Sequence, residues 1–250
     1  MAVAHITFTS KELKMNTSVV VCFPDSVRMD GVPLSKRKVL YLLHGLSDDC
    51  SSWLRYSRID KYCMDTGLVA VMPSADRSMY CDNVNGQNYF SYIADELPEY
   101  LSEVFGLSRA KEDNFIAGLS MGGMGAMKIA LTYPDRYAAV GSFSGVLDLR
   151  PVAAMVNDDM KREFPFLVSE IPNIDSSPLN PTFLLDAQRD KDLKIYVACG
   201  YQDNMYIPNC LFCERMEELG IEAKATFENG KHDWDFWERH IPLFIDFILR

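Results

Sequence analysis

The stretch with the clearest chemical potential reads Gly-Leu-Ser-Met-Gly at residues 118–122 and fits the pattern Gly-x-Ser-x-Gly. An apolar run at 115–117 precedes it, and a helical pattern that ends before Pro134 follows it. A serine between a strand and a helix stands on a sharp turn with its hydroxyl exposed, and a Cβ at the flanking glycines would collide with neighbouring elements. The bare pattern also fits a solvated turn, but this context makes Ser120 the candidate nucleophile.

A serine hydroxyl needs an adjacent base near neutral pH, and the sequence offers four histidines. His5 lies near the start of the chain, His44 ends a predicted central strand, and His240 falls within the last predicted helix. His232 lies in a loop after the last predicted strand. Serines on this kind of turn are followed along the chain by an acid and then by a histidine. His232 is therefore the predicted general base, and His44 is expected to orient its own loop.

The predicted acid is Asp203, in the loop after the last strand but one. A carboxylate there can hold the imidazole in the right tautomer and stabilise its cation. Asp190 and Asp192 precede that strand and would lie at its other end. Asp186 falls in a predicted helix, and Asp233 adjoins His232 too closely in sequence to face it. Asp203 is thus favoured over these four alternatives.

Negative charge that develops on a substrate oxygen needs two N–H donors. Met121 begins the predicted helix, so its N–H has no partner within that helix and can bind an anion. The second donor should come from the loop after an earlier central strand, where His44-Gly45-Leu46 lies. The Leu46 N–H is the predicted donor, and Gly45 lets the backbone turn inward.

Apolar strand-like runs alternate with helical patterns along the whole chain, which indicates the α/β class. The predicted strands cover 13–23, 39–43, 68–72, 115–117, 138–143, 193–200 and 222–227. The predicted helices cover 51–66, 89–104, with a possible kink at Pro98, 121–133, 209–219 and 236–249. We expect a single domain over 1–250, with an open, mostly parallel central sheet covered by helices on both faces.

The segment 150–182 interrupts this alternation and holds five prolines among methionines, phenylalanines and leucines. A segment of this length is typical of an insertion into the fold. It could be a plain surface excursion, but its apolar content favours a short lid over a binding site.

Composition sets limits on partners and location. The chain has 250 residues, 48% of them hydrophobic, and a net charge of −10, which argues against nucleic acid or an anionic membrane as partner. The first residues lack a basic region and a long apolar run, so we expect neither a signal peptide nor a transmembrane segment. The seven cysteines of the chain are an odd number, and reduced thiols in the cytoplasm are expected. Cys210 and Cys213 have the spacing of a redox or zinc pair, but no second pair accompanies them.

Four motifs in order give the chain a resemblance to a known family. They are His44-Gly45 after a buried strand, the glycine-rich turn at 118–125, Gly200-x-x-Asp203, and His232-Asp233-Trp234-x-x-Trp237. Together they resemble the esterase D branch of the α/β-hydrolases, most closely the bacterial tributyrin (acetyl) esterases, whose relatives include feruloyl esterases and S-formylglutathione hydrolases. The resemblance implies an α/β-hydrolase fold and hydrolysis of short acyl esters through a serine acyl-enzyme, without a cofactor.

The expected partner is a small-molecule ester, and the chain could form a homo-oligomer. The leading hypothesis is a serine carboxylesterase for short-chain acyl esters, acetyl or butyryl, with acetylated or feruloylated carbohydrate as a candidate substrate. The alternatives are a thioesterase of the S-formylglutathione type, an acyltransferase, and a catalytically silent binding module. Gly45, Trp53, Tyr80 and Trp234 are candidate residues of the substrate pocket, although the three aromatic side chains could equally belong to the core. No cluster of His, Asp or Glu has the spacing of a metal site.

Overall fold

The computed structural model describes residues 1–25, 30–83, 87–154, 156–188 and 192–250. Within these ranges the strands form one sheet in the order β1-β2-β4-β3-β5-β6-β7-β8. The strands are β1 (Ala2–Ser10), β2 (Met15–Phe23), β3 (Val39–Leu43), β4 (Val69–Pro73), β5 (Asn114–Leu119), β6 (Ala139–Phe143), β7 (Lys194–Gly200) and β8 (Ala223–Glu228). Strand β2 runs antiparallel to β1 and β4, and the other neighbours pair in parallel. The predicted mostly parallel sheet is confirmed.

Helices connect the strands. They are α1 (Ser52–Tyr56), α2 (Ile59–Thr66), α3 (Tyr89–Ser91), α4 (Leu97–Phe105), α5 (Met121–Thr132), α6 (Leu149–Ala153), α7 (Asp158–Glu163), α8 (Pro165–Glu170), α9 (Pro181–Leu184), α10 (Tyr206–Leu219) and α11 (Trp234–Leu249). Shorter 3₁₀ segments cover Leu34–Lys36, Lys111–Asp113, Ile171–Ser176 and Leu185–Ala187. Of the helices described here, none combines the length and the apolar character that crossing a bilayer requires.

The central strands are buried on both faces of the sheet. In β3, Tyr41 and Leu43 face one apolar cluster, which also holds Met124 of α5, whereas Leu40 faces a second cluster that holds Phe244 of α11. Because successive side chains of a strand point to opposite faces, a strand covered on both sides needs a continuous apolar run. This is why the runs at 39–43 and 68–72 predict strands correctly, with β4 found one residue later.

Three elements differ from the sequence prediction. The predicted helix at 51–66 is two helices, α1 and α2. Strand β1 is absent from the prediction. It pairs only with β2 at the sheet edge, and most of its side chains are partly or fully exposed, so its sequence lacks the apolar run of a buried strand. The predicted helix at 89–104 is divided by a π-helical segment, Tyr92–Glu96, before α4. Pro98 lies in the first turn of α4, and because proline has no N–H, the wider turn forms just before it.

The segment between β6 and β7 is helical for much of its length and contains α6 to α9. Leu149, Phe164 and Leu167 are buried and pack with the cluster on the α5 face of the sheet. The predicted insertion at 150–182 thus contacts the body of the fold through apolar side chains. Whether it moves as a lid stays a prediction.

The helix α5 approaches the sheet so closely that we predict Gly122→Ala to destabilise the protein by at least about 3 kcal/mol, because a clash with backbone atoms cannot be relieved by a rotamer change. A Cβ on Gly122 would lie 2.3 Å from the Leu43 carbonyl oxygen. Gly220→Ala is the control: Gly220 has φ +68° but open space around it. Its expected loss is about 1 kcal/mol. Denaturant unfolding measures both, and equal losses would contradict the argument.

Candidate active site

Ser120 lies at the turn between β5 and α5 with φ 53° and ψ −117°, in a region that residues with a side chain rarely adopt. Its N–H donates to the Phe143 carbonyl at 2.9 Å. A Cβ on Gly118 would lie 2.4 Å from the Gly122 carbonyl carbon and oxygen, so strand and helix can meet here only through glycine. The hydroxyl is therefore lifted clear of the sheet on a rigid backbone.

His232 reaches Ser120 from the loop between β8 and α11. Its Nε2 lies 2.8 Å from the Ser120 Oγ, and its Nδ1 lies 2.9 and 3.0 Å from the two carboxylate oxygens of Asp203. The Trp237 ring meets the imidazole edge-on, with 5.1 Å between ring centroids. The three side chains are thus brought together in the arrangement in which an imidazole accepts the serine proton while a carboxylate holds its other nitrogen.

The loop after β7, which carries Asp203, and the loop after β8, which carries His232, are hydrogen-bonded to each other. The Gln202 N–H donates to the Gly230 carbonyl at 3.0 Å, and the Gly230 N–H donates to the Gln202 Oε1 at 2.8 Å. A Cβ on Gly200 would lie 2.2 Å from the Gly230 carbonyl oxygen, so this approach requires glycine at the end of β7. The fastening fixes where His232 stands relative to Asp203.

The other acidic candidates lie elsewhere. Asp186 pairs with Arg215 at 2.5 Å, and Asp233 caps α11 by accepting the Phe236 N–H at 3.0 Å. Asp192 is exposed and precedes β7. Asp190 lies outside the described residues.

The Asp203 side chain is fully buried, whereas the His232 side chain is 32% exposed. Burial alone would raise the pKa of Asp203, but hydrogen bonds from His232, the Met205 N–H and the Ser144 hydroxyl outweigh it and hold the pKa below its ordinary value of 3.8. The Met205 N–H lies 2.7 Å from the carboxylate. Ser144 is itself buried with φ 53°, and its Oγ accepts the Trp237 Nε1–H at 3.1 Å. Asp203 is therefore a carboxylate at neutral pH, and sequence reasoning missed Ser144 because no motif marks it.

The loop after β3 lies beside Ser120. A Cβ on Gly45 would lie 2.7 Å from the Leu119 side chain and 3.7 Å from the Ser120 Cβ. The Ala75 N–H donates to the His44 Nε2 at 2.9 Å, so the proton of the neutral ring is on Nδ1, which donates to the Gly45 carbonyl at 2.7 Å. Burial lowers the pKa of His44 and favours this neutral form. His44 thus orients its own loop, in keeping with the sequence prediction.

A cavity of about 280 Å³ opens beside Ser120. Its lining is almost entirely apolar and comes from the β3 loop, the segment before α3, the N-terminus of α5, the insertion and the start of α10. The lining residues other than Ser120 are Leu46, Met79, Met121, Val146, Leu149, Val152, Met160, Phe164, Leu167 and Met205. The apolar content of the insertion was the one signal in the sequence for this wall.

The predicted aromatic pocket walls are wrong for Trp53 and Tyr80. Both are fully buried, and their polar tips are satisfied by backbone carbonyls: Trp53 Nε1–H donates to Leu43 at 3.1 Å and the Tyr80 hydroxyl to His44 at 3.1 Å. Trp234 is half-buried and packs edge-on against Trp53, at 5.1 Å between ring centroids, away from the cavity lining. Gly45 is next to Ser120 but offers no side chain to a ligand.

Other candidate chemistry is absent from the site. Within the part of the chain that the structure describes, no group of His, Cys, Asp and Glu residues is arranged to hold a metal ion. All seven cysteines are free thiols, including Cys210 and Cys213 in α10. His5 lies in β1, and His240 is buried against Tyr196, with 3.1 Å between its Nδ1 and the Tyr196 hydroxyl.

Comparison with known proteins assigns the family. The model of the Esterase family matches residues 10–243. This chain belongs to that family. An acetyl esterase of Caldicellulosiruptor saccharolyticus is 30% identical over 256 residues, with 96% of each chain covered. The esterase is therefore a hydrolase that acts on carboxylic esters.

Two solved structures from Staphylococcus aureus are similar over the whole esterase. The fluorophosphonate-binding serine hydrolase FphF superposes with a TM-score of 0.88 at 30% identity, covering 100% of this chain and 98% of the other. The S-formylglutathione hydrolase FrmB superposes with a TM-score of 0.86 at 29% identity, covering 100% of both. These likenesses agree with the α/β-hydrolase fold that the sequence predicted.

The depressed pKa of Asp203 makes a prediction about stability in acid. A carboxyl group whose pKa is lower in the folded state stabilises that state above its unfolded pKa, near 3.9, and loses this contribution as the pH falls through the folded value. We expect the difference in unfolding free energy between the wild type and Asp203→Asn to shrink as the pH falls from 5 towards 3. Ser144→Ala should weaken this dependence. Denaturant unfolding across this range tests it, and a constant difference would contradict it.

Proposed function

We propose that this esterase hydrolyses short-chain acyl esters through an acyl-enzyme on Ser120. His232 Nε2 accepts the proton of the Ser120 hydroxyl as the oxygen attacks the ester carbonyl. The imidazolium then gives that proton to the departing alcohol, and Asp203 stabilises the positive ring meanwhile. A water molecule repeats the attack on the acyl-enzyme and releases the acid. The supporting observation is the relay from Asp203 through His232 to Ser120, with every contact between 2.8 and 3.0 Å.

The oxyanion of each tetrahedral intermediate is assigned to the N–H groups of Met121 and Leu46. Met121 is the first residue of α5, so its N–H is left without an intrahelical acceptor, at the positive end of the helix. Leu46 lines the same cavity as Ser120. Donors fixed in advance at this position stabilise the transition state more than the substrate.

The acyl group is assigned to the apolar cavity. Among the described residues of the lining, Ser120 is the one that is polar, and the others are leucine, methionine, valine and phenylalanine, so the cavity favours a neutral hydrocarbon group. The structural likeness to an S-formylglutathione hydrolase supports a thioesterase as the second candidate. A formyl group carries no hydrocarbon for this apolar lining to contact, whereas acetyl and butyryl groups do, and butyryl gains the most. The proposed substrate is thus a small ester, hydrolysed without a cofactor. The proposed location is the cytoplasm, where free thiols stay reduced.

We expect Ser120→Ala to lower kcat for p-nitrophenyl butyrate by about 10⁵-fold or more, and Asp203→Asn by about 10⁴-fold. Fluorophosphonate should label the wild type at Ser120 and leave Ser120→Ala unlabelled. Ser102→Ala, in α4, is the control and should retain full activity. Turnover by purified Ser120→Ala at the wild-type rate would overturn the assignment.

The acyl assignment is tested by narrowing the cavity. Val152→Phe should lower kcat/KM for the butyrate ester relative to the acetate ester by about tenfold, because the added ring fills space that the longer acyl chain needs. Val104→Phe is the control, at a residue of α4 that is 55% exposed and outside the cavity lining. An unchanged ratio in Val152→Phe would place the acyl chain elsewhere. The thioesterase is distinguished by measuring kcat/KM for S-formylglutathione, from the loss of its thioester, and comparing it with kcat/KM for the acetate ester.

A further inference from the structure

Lys128 is a buried ammonium group in the helix that begins after Ser120. The residue is 2% exposed, and its Nζ lies 3.2 Å from the carbonyl oxygens of both Met79 and Tyr80 and 2.9 Å from the Cys81 Sγ. Burying a lysine is costly unless all three of its donors find acceptors. Here the acceptors come from three consecutive residues, so Lys128 fastens one short segment to α5.

That segment has an unfavourable backbone. Met79 and Tyr80 have φ angles of 53° and 50°, and each left-handed residue with a side chain costs about 1–2 kcal/mol. This conformation turns both carbonyl groups towards the same ammonium. The charge-assisted hydrogen bonds from Lys128 offset the strain.

The fastened segment in turn holds the loop after β3. The Tyr80 ring lies against α5, since a Cβ on Gly125 would be 2.5 Å from its Cγ. The Tyr80 hydroxyl donates to the His44 carbonyl at 3.1 Å, and the His44 ring holds the Gly45 carbonyl at 2.7 Å. In a trans peptide the C=O and the following N–H point in opposite directions. Fixing the Gly45 carbonyl therefore fixes the direction of the Leu46 N–H.

We infer that Lys128 and Tyr80 are positioning residues for the oxyanion site. They tie α5, whose first N–H belongs to Met121, to the loop that presents the Leu46 N–H, and so set the separation of the two donors. The inference rests on the proposed function. Because the donors act most strongly on the transition state, a change in their separation lowers kcat and leaves KM nearly unchanged.

Tyr80→Phe is the main test, because it removes a single hydroxyl and keeps the packed ring. We expect kcat for p-nitrophenyl butyrate to fall by about tenfold to a hundredfold, as a displacement of about 1 Å does in an active site, with KM within about twofold. The inhibition constant of an alkyl trifluoromethyl ketone, whose adduct with Ser120 carries an oxyanion, should rise by the same factor as kcat/KM falls. Tyr137→Phe is the control: Tyr137 is buried on the same face of the sheet, against Tyr41, and the variant should match the wild type.

Lys128→Met tests the other end of the connection. It removes the donors but keeps an unbranched side chain, and it should lower kcat at least as much as Tyr80→Phe. If both act through one chain of contacts, the double variant should be no slower than Lys128→Met alone. Additive losses of kcat in the double variant would overturn the connection.

The outcomes separate the two proposals. If Ser120→Ala is inactive while Tyr80→Phe keeps the wild-type kcat and ketone inhibition, the positioning role is wrong and the proposed function stands. If Ser120→Ala retains wild-type turnover, both are wrong. Should Lys128→Met not fold, Tyr80→Phe still decides the inference.

Discussion

The site depends on the contact between β5 and α5, which is closer than side chains permit. Gly118 and Gly122 approach so closely that a Cβ on either would clash with backbone atoms, and Ser120 between them has a φ of 53° with ψ −117°. Such strain costs about 1–3 kcal/mol and persists only where the surroundings fix it. Here the surroundings are a sheet buried on both faces, with α5 buried along nearly its whole length. The core thus supplies the stability that the strained turn consumes.

A buried carboxylate imposes the second constraint. Asp203 must stay ionised to hold a cationic imidazole, and a buried charge is tolerated only when donors surround it. They come from separate elements: His232 before α11, Met205 before α10 and Ser144 after β6. Ser144, just after the adjacent strand β6, has the same positive φ of 53° as Ser120. The strained residues at the ends of two neighbouring strands therefore both belong to the proposed relay. The Trp237 indole donates to the Ser144 hydroxyl and packs edge-on against the His232 imidazole.

The sequence predicts the sheet, and it predicts that Ser120, Asp203 and His232 lie at one edge of it. Parallel strands have their carboxyl ends at the same edge, and the order of the motifs along the chain shows which loops carry the three residues. The predicted pocket roles of Trp53 and Tyr80 were wrong, because an aromatic residue beside a motif loop can face either a ligand or the core. Their polar tips bond carbonyls that only the folded chain places nearby. The apolar content of the insertion pointed to a binding site, but the individual wall residues could not be named, because the short helices α6 to α9 give too brief a pattern to show which side chains face inward.

The loop after β3 is held by two sets of contacts that differ in strength. This loop, to which the proposed donor Leu46 belongs, is held from inside by buried hydrogen bonds through Tyr80 and Lys128. It also meets the insertion through Arg77, which donates to the Leu46 carbonyl at 3.2 Å and pairs with Glu163 of α7. That ion pair is half exposed on the arginine side, and exposed pairs contribute at most about 1 kcal/mol. Under the proposed function, a change in the apolar lining of the insertion would therefore alter the acyl group accepted with little effect on the position of the Leu46 N–H.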